Sequence, residues 1–249
     1  MSDILLVHGS CHGAWAWDRV IPELAALGLA ARAIDLPGRN GAATTLEAQA
    51  SAILEKLSAR TVLVGHSAGG YPISLAAELA DAGTIAGLIY VCAYIPQAGR
   101  SVADLRRAGP SQPLRAALRV AADRQSYSFV PAACADLFFH DCQGANHATA
   151  RLCAEPIAPQ ETALPDLVRA RALPRAAILC TNDRAIPPEW QAEMAKGMPR
   201  YRLASSHSPF LSMPKLLAQT IAELCSRFQP GADKQPGHAK PAGFPHATP

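Results

Sequence analysis

A chain of 249 residues with 49% hydrophobic and 17% charged content can bury one large core, so a single domain carrying an insertion is the first expectation. The formal charge is only +3 and the Lys and Arg residues are scattered. That argues against nucleic acid or an anionic membrane as partner and leaves small molecules. No apolar run approaches the roughly 18 residues of a membrane span, and Met1-Ser2-Asp3 ahead of Ile4 to Val7 lacks the basic start of a signal peptide. A cytoplasmic location is expected.

In chain order, short apolar runs alternate with amphipathic stretches: Ile4 to Val7, then Trp15 to Leu27; Ala30 to Leu36, then Leu46 to Leu57; Thr61 to Gly65, then Ala68 to Ala80. The rhythm reads as βαβαβα, with strands buried on both faces in a mostly parallel, doubly wound α/β sheet. Ile85 to Tyr94 supplies a fourth strand. The rhythm then stops, and residues 97–174 mix proline, arginine and short helical patterns such as Ser101 to Ala108 and Leu114 to Ala122, as an inserted helical cap would. It resumes with Ala176 to Thr181 as a strand, Pro188 to Lys196 as a helix, Tyr201 to Ala204 as a strand and Leu211 to Phe228 as a closing helix. The core is thus expected from residues 1–96 and 175–228. From Gln229 the composition turns to Pro, Gly, His and Lys, so residues 229–249 read as a disordered tail.

Seven cysteines without close CxxC pairs suit reduced thiols better than a disulfide framework. The densest potential ligand cluster, His140, Asp141, Cys142 and His147, has no second group at zinc-like spacing. No metal and no cofactor is expected.

In a parallel sheet, chemistry gathers at the C-terminal ends of the strands. Ser67 sits there, inside Gly65-His66-Ser67-Ala68-Gly69. A nucleophile elbow holds its serine in a strained strand-to-helix turn and needs small neighbours two residues to either side. The pentapeptide alone is suggestive; its place between a strand-like and a helix-like run makes it strong. A serine hydroxyl needs a base, and the base an acid to fix its tautomer. Asp183 follows one late strand and His207 the next, which gives the order Ser, Asp, His. Asp136, Asp141 and Glu155 are the alternative acids, each without a strand before it. After Ile4 to Val7 come His8-Gly9-Ser10-Cys11-His12-Gly13, whose glycines let backbone amides turn toward the site. The Ser10 and Ala68 amides are the expected oxyanion donors. Cys11 and His12 are expected to line or brace that loop, which makes Cys11 a candidate substrate contact. Asp35 reads as a turn former.

Together Val7 to Trp17, Asp35 to Arg39, Val64 to Gly70, Cys180 to Pro187 and Ser206 to Pro214 resemble the plant-type methylesterase and hydroxynitrile lyase branch of the α/β-hydrolases, with its bacterial esterase relatives. The resemblance implies the α/β-hydrolase fold, Ser67, Asp183 and His207 as a triad, and Ser10 and Ala68 as the oxyanion amides. Lyases of this branch carry threonine where this chain has Gly9 and lysine where it has Ser208, so the resemblance points toward ester hydrolysis.

The expected function is a serine carboxylesterase for small, largely apolar esters, methyl esters among them. A lyase, a carbon–carbon hydrolase and a non-turnover ligand receptor on the same fold are the alternatives. Tyr127, Phe129, Phe138 and Phe139 either line the pocket or form the cap's own core. Arg100, Arg106, Arg107, Arg115, Arg119 and Arg124 are read as a solvated face, with an acidic substrate or a carrier protein as the alternative. The sequence is silent on oligomeric state and leaves a homodimer open.

Overall fold

The computed structural model describes residues 3–58 and 60–229; the expected tail, apart from Gln229, lies outside them. The first half alternates strand and helix: β1 (Ile4–Val7), α1 (Val20–Ala26), β2 (Ala31–Ile34), α2 (Leu46–Leu54), β3 (Thr61–His66), α3 (Gly70–Leu79) and β4 (Ile85–Val91). The intervening segment contributes α4 (Val102–Ala108), β5 (Leu118–Val120), β6 (Ser126–Phe129), α5 (Pro131–Phe138), α6 (Ala145–Ala150), β7 (Glu155–Pro156), α7 (Ala158–Glu161) and α8 (Val168–Ala172). The chain ends with β8 (Arg175–Cys180), α9 (Pro188–Met194), β9 (Arg200–Leu203), α10 (Pro209–Ser212) and α11 (Pro214–Arg227).

Six strands form one sheet in the order β2-β1-β3-β4-β8-β9, every pair parallel. Successive residues of β1 feed opposite faces. Ile4 and Leu6 join Val62, Val64, Leu217 and Ile221 on one side, while Leu5 and Val7 join Leu63, Leu88, Ile53 and Ile73 on the other. Each fully buried Leu, Ile or Val of these layers is worth about 1.5–3 kcal/mol relative to exposure. β1 lies between β2 and β3, so the chain leaves it toward one edge first and the other edge next. This reversal of direction opens a crevice at the strand ends. The register pairs Val7 with Gly65 and thereby sets the loop after β1 beside the loop after β3.

The expected elements differ from the observed ones where proline or tight packing intervenes. Trp15 to Leu27 splits into a 3-10 turn, Ala14–Trp17, and α1. The closing helix is interrupted at Met213 before Pro214, whose ring cannot continue a preceding helix. The largest difference lies in residues 97–174, which are not wholly helical. Leu114 to Ala122, expected as helix, is a 3-10 turn at Pro113–Ala116 followed by β5. β5 pairs antiparallel with β6, and β6 with β7. The turn between them closes through Arg124 N to the Ala121 carbonyl at 3.0 Å, with Arg124 at φ 57°. Two short strands joined by such a turn satisfy backbone groups that an isolated two-turn helix leaves to water. α4 does form where expected, fixed by a capping box in which Asp104 N donates to Ser101 Oγ at 3.1 Å and Ser101 N to Asp104 Oδ2 at 3.0 Å.

Candidate active site

The crevice between β1 and β3 receives Ser67 directly after β3. Ser67 has φ 53°, the left-handed region that is costly for a residue with a Cβ, and it is held there by close packing on either side. A Cβ on Gly65 would lie 2.7 Å from the Gly69 carbonyl oxygen, and one on Gly69 would lie 2.5 Å from the His8 carbonyl oxygen. Tyr94 N anchors the Ser67 carbonyl at 3.0 Å. Ala68 stands in the first turn that follows, where backbone amides have no partner within the helix.

His207 and Asp183 arrive from the loops after β9 and β8. His207 Nδ1 lies 2.7 Å from Asp183 Oδ2, and both side chains are buried. The remaining acceptor capacity of Asp183 is filled: Oδ1 takes Ala185 N at 2.7 Å and Ile186 N at 2.9 Å, and Oδ2 also takes Gln191 Nε2 at 2.8 Å. An acceptor-only carboxylate requires the imidazole proton on Nδ1, so in the neutral ring the lone pair is on Nε2. His207 and Ser67 line one cavity, together with Ser10, His12, Tyr94, Val102 and others named below. The two side chains form no hydrogen bond with each other, as is common before substrate tightens such a site. The cavity is narrow, with about 20 Å³ open to the centre of a water molecule, which is room for about one.

Three more histidines are buried near the site loops, and their hydrogen bonds fix their tautomers. His66 Nε2 donates to the His207 carbonyl at 2.9 Å, His12 Nδ1 to the Ser10 carbonyl at 2.8 Å and His8 Nδ1 to the Gly9 carbonyl at 2.9 Å. His8 Nε2 in turn accepts from Leu36 N at 3.0 Å. Burial pushes His8 down to about 4, His12 down to about 3 and His66 well below its ordinary value. These rings are neutral structural groups. His66, Cys92 and His207 have ligand atoms within 4.8 Å of one another; His66 Nε2 and His207 Nδ1 are engaged by protein partners, and His66 Nδ1 is without one.

The other sequence candidates fall on distinct sides of the cavity wall. Tyr127, Phe129 and Phe138 line it. Phe139 does not, and packs edge-on to Phe138 and His12 within the core. Cys11 is 1% exposed and outside the lining: it has φ 63° and turns its amide to Glu155 Oε2 at 2.9 Å. The alternative acids are engaged elsewhere. Asp136 pairs with Arg184, Asp141 Oδ2 accepts from Ser206 N at 2.8 Å, and Glu155 holds Cys11. Sequence reasoning missed Gln191, Gln160 and Tyr94. Gln191 is 1% exposed, and its burial beside Met194 on a short helix carries no pattern that separates it from core packing.

Gly9 and Ser208 occupy tight places. A Cβ on Gly9 would lie 2.6 Å from Ser67 Cβ and 2.9 Å from His66 Nδ1. Ser208 is wholly buried, with its Oγ unpartnered.

Comparison with known proteins places this geometry. The model of the alpha/beta hydrolase family matches residues 4–220. A pyrethroid hydrolase from Sphingobium wenxiniae is 29% identical over 273 residues, spanning 98% of this chain and 95% of the relative. Methylesterase 7 of Arabidopsis thaliana is 25% identical over 261 residues, spanning 90% of this chain and 96% of the relative. A crystal structure of a pyrethroid hydrolase from Sphingobium faniae superimposes with a TM-score of 0.81 at 26% identity, covering 90% of this chain and 97% of the other. A parallel sheet with a serine turn after β3, matched along nearly the whole chain by the family model, means that the chain belongs to the alpha/beta hydrolase family.

Proposed function

We propose that the protein is a serine carboxylesterase in which Ser67, His207 and Asp183 act as a triad. The carrying observation is the buried 2.7 Å contact of His207 Nδ1 with Asp183 Oδ2, which leaves the second nitrogen of His207 toward the cavity that Ser67 also lines. His207 Nε2 takes the Ser67 proton as Oγ attacks the ester carbonyl. The Ser10 and Ala68 amides receive the developing oxyanion. Collapse expels the alcohol, which takes the proton from His207, and leaves an acyl-enzyme. His207 then deprotonates a water that releases the acid and regenerates Ser67.

Residues 97–174 form the lid of this site, and Tyr127, Phe129 and Phe138 from that segment supply its apolar wall. Their apolar surface favours small esters with an apolar body, methyl esters included, and the likeness to a methylesterase and a pyrethroid hydrolase supports this class. The narrow space at Ser67 requires the lid to move before an ester enters. Gly9 leaves no room for the threonine of the lyases, and buried Ser208 none for their lysine. All seven cysteines are free, which suits the cytoplasm, and among the described residues no helix is long and apolar enough to cross a membrane.

The test is a burst of p-nitrophenol from an activated acetate ester, followed by steady turnover, with a single acyl group on Ser67 by mass spectrometry of the quenched enzyme. Equal rates for wild type and Ser67→Ala would overturn the proposal, and a burst without turnover would favour a receptor that traps its ligand.

A further inference from the structure

Of the six arginines singled out in residues 97–174, Arg100, Arg107, Arg115, Arg119 and Arg124 are exposed, as on a solvated face. Arg107 pairs with Asp104 at 3.2 Å and reaches Glu161 at 3.7 Å. Arg119 donates to the Ala116 and Leu118 carbonyls. Arg106 is different. It is half-buried on α4, and among the described residues no hydrogen bond or ion pair engages it, although an unpaired, partly desolvated guanidinium carries a cost that a partner would relieve.

Its position explains what that partner would be. Arg106 and Val102, one helical turn apart, both line the Ser67 cavity. Arg106 also lines an adjoining cavity of about 360 Å³, whose other walls are Arg107, Gln112, Arg115 and Leu118. Arg106 is therefore shared by the wall of the Ser67 cavity and that of a basic neighbouring cavity. Its charge reaches both tyrosines of the catalytic cavity. Burial pushes the Tyr94 and Tyr127 hydroxyls up, and Arg106 pulls each of them back down. The carboxyls nearest this region are already occupied: Asp104 by Ser101 and Arg107, Asp183 by His207, and Glu155 by Cys11 and Gln160. A surplus positive charge thus faces a cavity whose wall also carries the apolar Val102, Leu114, Phe129 and Phe138.

We propose that Arg106 is the specificity-determining residue for a carboxylate carried by the substrate, so that the esters taken are half-esters of dicarboxylic acids. The ester carbonyl sits at Ser67, the methylene chain lies along Val102 and Leu114, and the free carboxylate accepts from the planar guanidinium, which matches it in a two-point contact. This inference rests on the esterase reading and refines its substrate from an apolar ester to an apolar chain with an anionic end.

The experiment compares p-nitrophenyl half-esters of succinic, glutaric and adipic acid with neutral p-nitrophenyl esters of matching chain length. The readout is the ratio of kcat/KM for the charged to the neutral ester, which cancels general damage to a variant. For at least one chain length the wild-type ratio exceeds about ten, and Arg106→Gln lowers it roughly ten- to a hundredfold, chiefly through KM. Arg106→Lys restores part of the ratio. Arg124→Gln, which removes an equal charge on the exposed hairpin turn, leaves the ratio within about twofold. A wild-type ratio near or below one, a ratio that Arg106→Gln does not move, or an equal fall in Arg124→Gln overturns the assignment. Turnover of the neutral esters with an unmoved ratio defeats only this inference. Absence of turnover on every ester defeats the esterase reading and this inference with it.

Discussion

The sheet and residues 97–174 meet at the same cavity but contribute to it in different ways. From the sheet come Ser67, Asp183 and His207, each on a loop that follows a strand; Ser67 and His207 line the cavity, and Asp183 is buried behind His207. From the intervening segment come three carboxylates that end on the loops after β8, β9 and β1. Asp136 pairs with Arg184 beside Asp183, Asp141 holds the amide of Ser206 beside His207, and Glu155 holds the amide of Cys11 beside Ser10. Acids that compete on paper for the role of triad member are tethers of the site loops in space. On the proposed triad the chemistry belongs to the sheet, and the segment is proposed to govern how firmly the loops are held and what reaches them.

That division predicts a steep hierarchy of effects. Ser67→Ala and His207→Ala lower kcat on an activated ester roughly 10⁴- to 10⁶-fold; the melting temperature shifts little in Ser67→Ala, whereas His207→Ala also costs about 1–3 kcal/mol because it takes a partner from the buried Asp183 carboxylate. Stopped-flow turnover with thermal unfolding on the same samples checks both halves. A variant at either position that retains a tenth of wild-type activity would return the chemistry to the intervening segment.

Next comes Gly9, where the loops after β1 and β3 leave no slack. The added methyl of Gly9→Ala meets Ser67 Cβ and His66, so the elbow must shift. We expect a loss of kcat of about 10²–10³-fold, the order that an angstrom of misplacement costs, and about 1–3 kcal/mol of stability. The double variant Gly9→Thr, Ser208→Lys is then expected to lose esterase activity without releasing cyanide from a cyanohydrin, a direct colorimetric assay.

Much of this was legible in the sequence. Strands buried on both faces announce themselves as apolar runs such as Thr61 to Gly65, and Ser67, Asp183 and His207 each stand immediately after such a run. Residues 97–174 were opaque for a physical reason. Their strands are two to four residues long, too short for alternation to separate from helical spacing, and Leu114 to Ala122 read as helix because the pairing with Ser126–Phe129 that decides it is not local. Gln191 was invisible on similar grounds: a glutamine among apolar neighbours reveals its importance only when Asp183, eight residues away, folds back onto it. Arg106 looked like its neighbours because the missing counter-charge is a property of the assembled cavity.

The buried histidines link the site loops to acid stability. His8, His12 and His66 take up protons only well below 6.5 when folded but near 6.5 when unfolded. Below that pH the unfolded chain binds more protons, and stability falls as pH falls. Glu155 acts in the opposite sense. Burial raises its carboxyl from 4.5 to about 7, so between those values the folded state holds the extra proton. Three uptakes against one leave about two net protons, or roughly 2–3 kcal/mol of stability lost per pH unit between 6 and 5. Denaturant titrations at pH 7, 6 and 5 measure this slope, and a flat profile would mean that the three rings are not held neutral.

The finest test separates the tether from its charge. Glu155→Gln keeps an oxygen for Cys11 N, and its new amide can donate to Gln160 Oε1, which has no partner in the wild type, once Gln160 reverses its own amide. The hydrogen bonds to the oxyanion loop survive, and only the cost of ionising a buried carboxyl is removed. At pH 5, where Glu155 is already protonated, the variant should match the wild type. At pH 8 it should be more stable by about 1–3 kcal/mol, which steepens the acid slope by the one proton that Glu155 no longer supplies. Glu155→Ala leaves Cys11 N and Gln160 Nε2 without acceptors and should be weaker at both pH values by about 1–3 kcal/mol. Equal losses for the two substitutions at pH 8 would show that the carboxylate's charge, rather than its place in the hydrogen-bond network, is what the oxyanion loop requires.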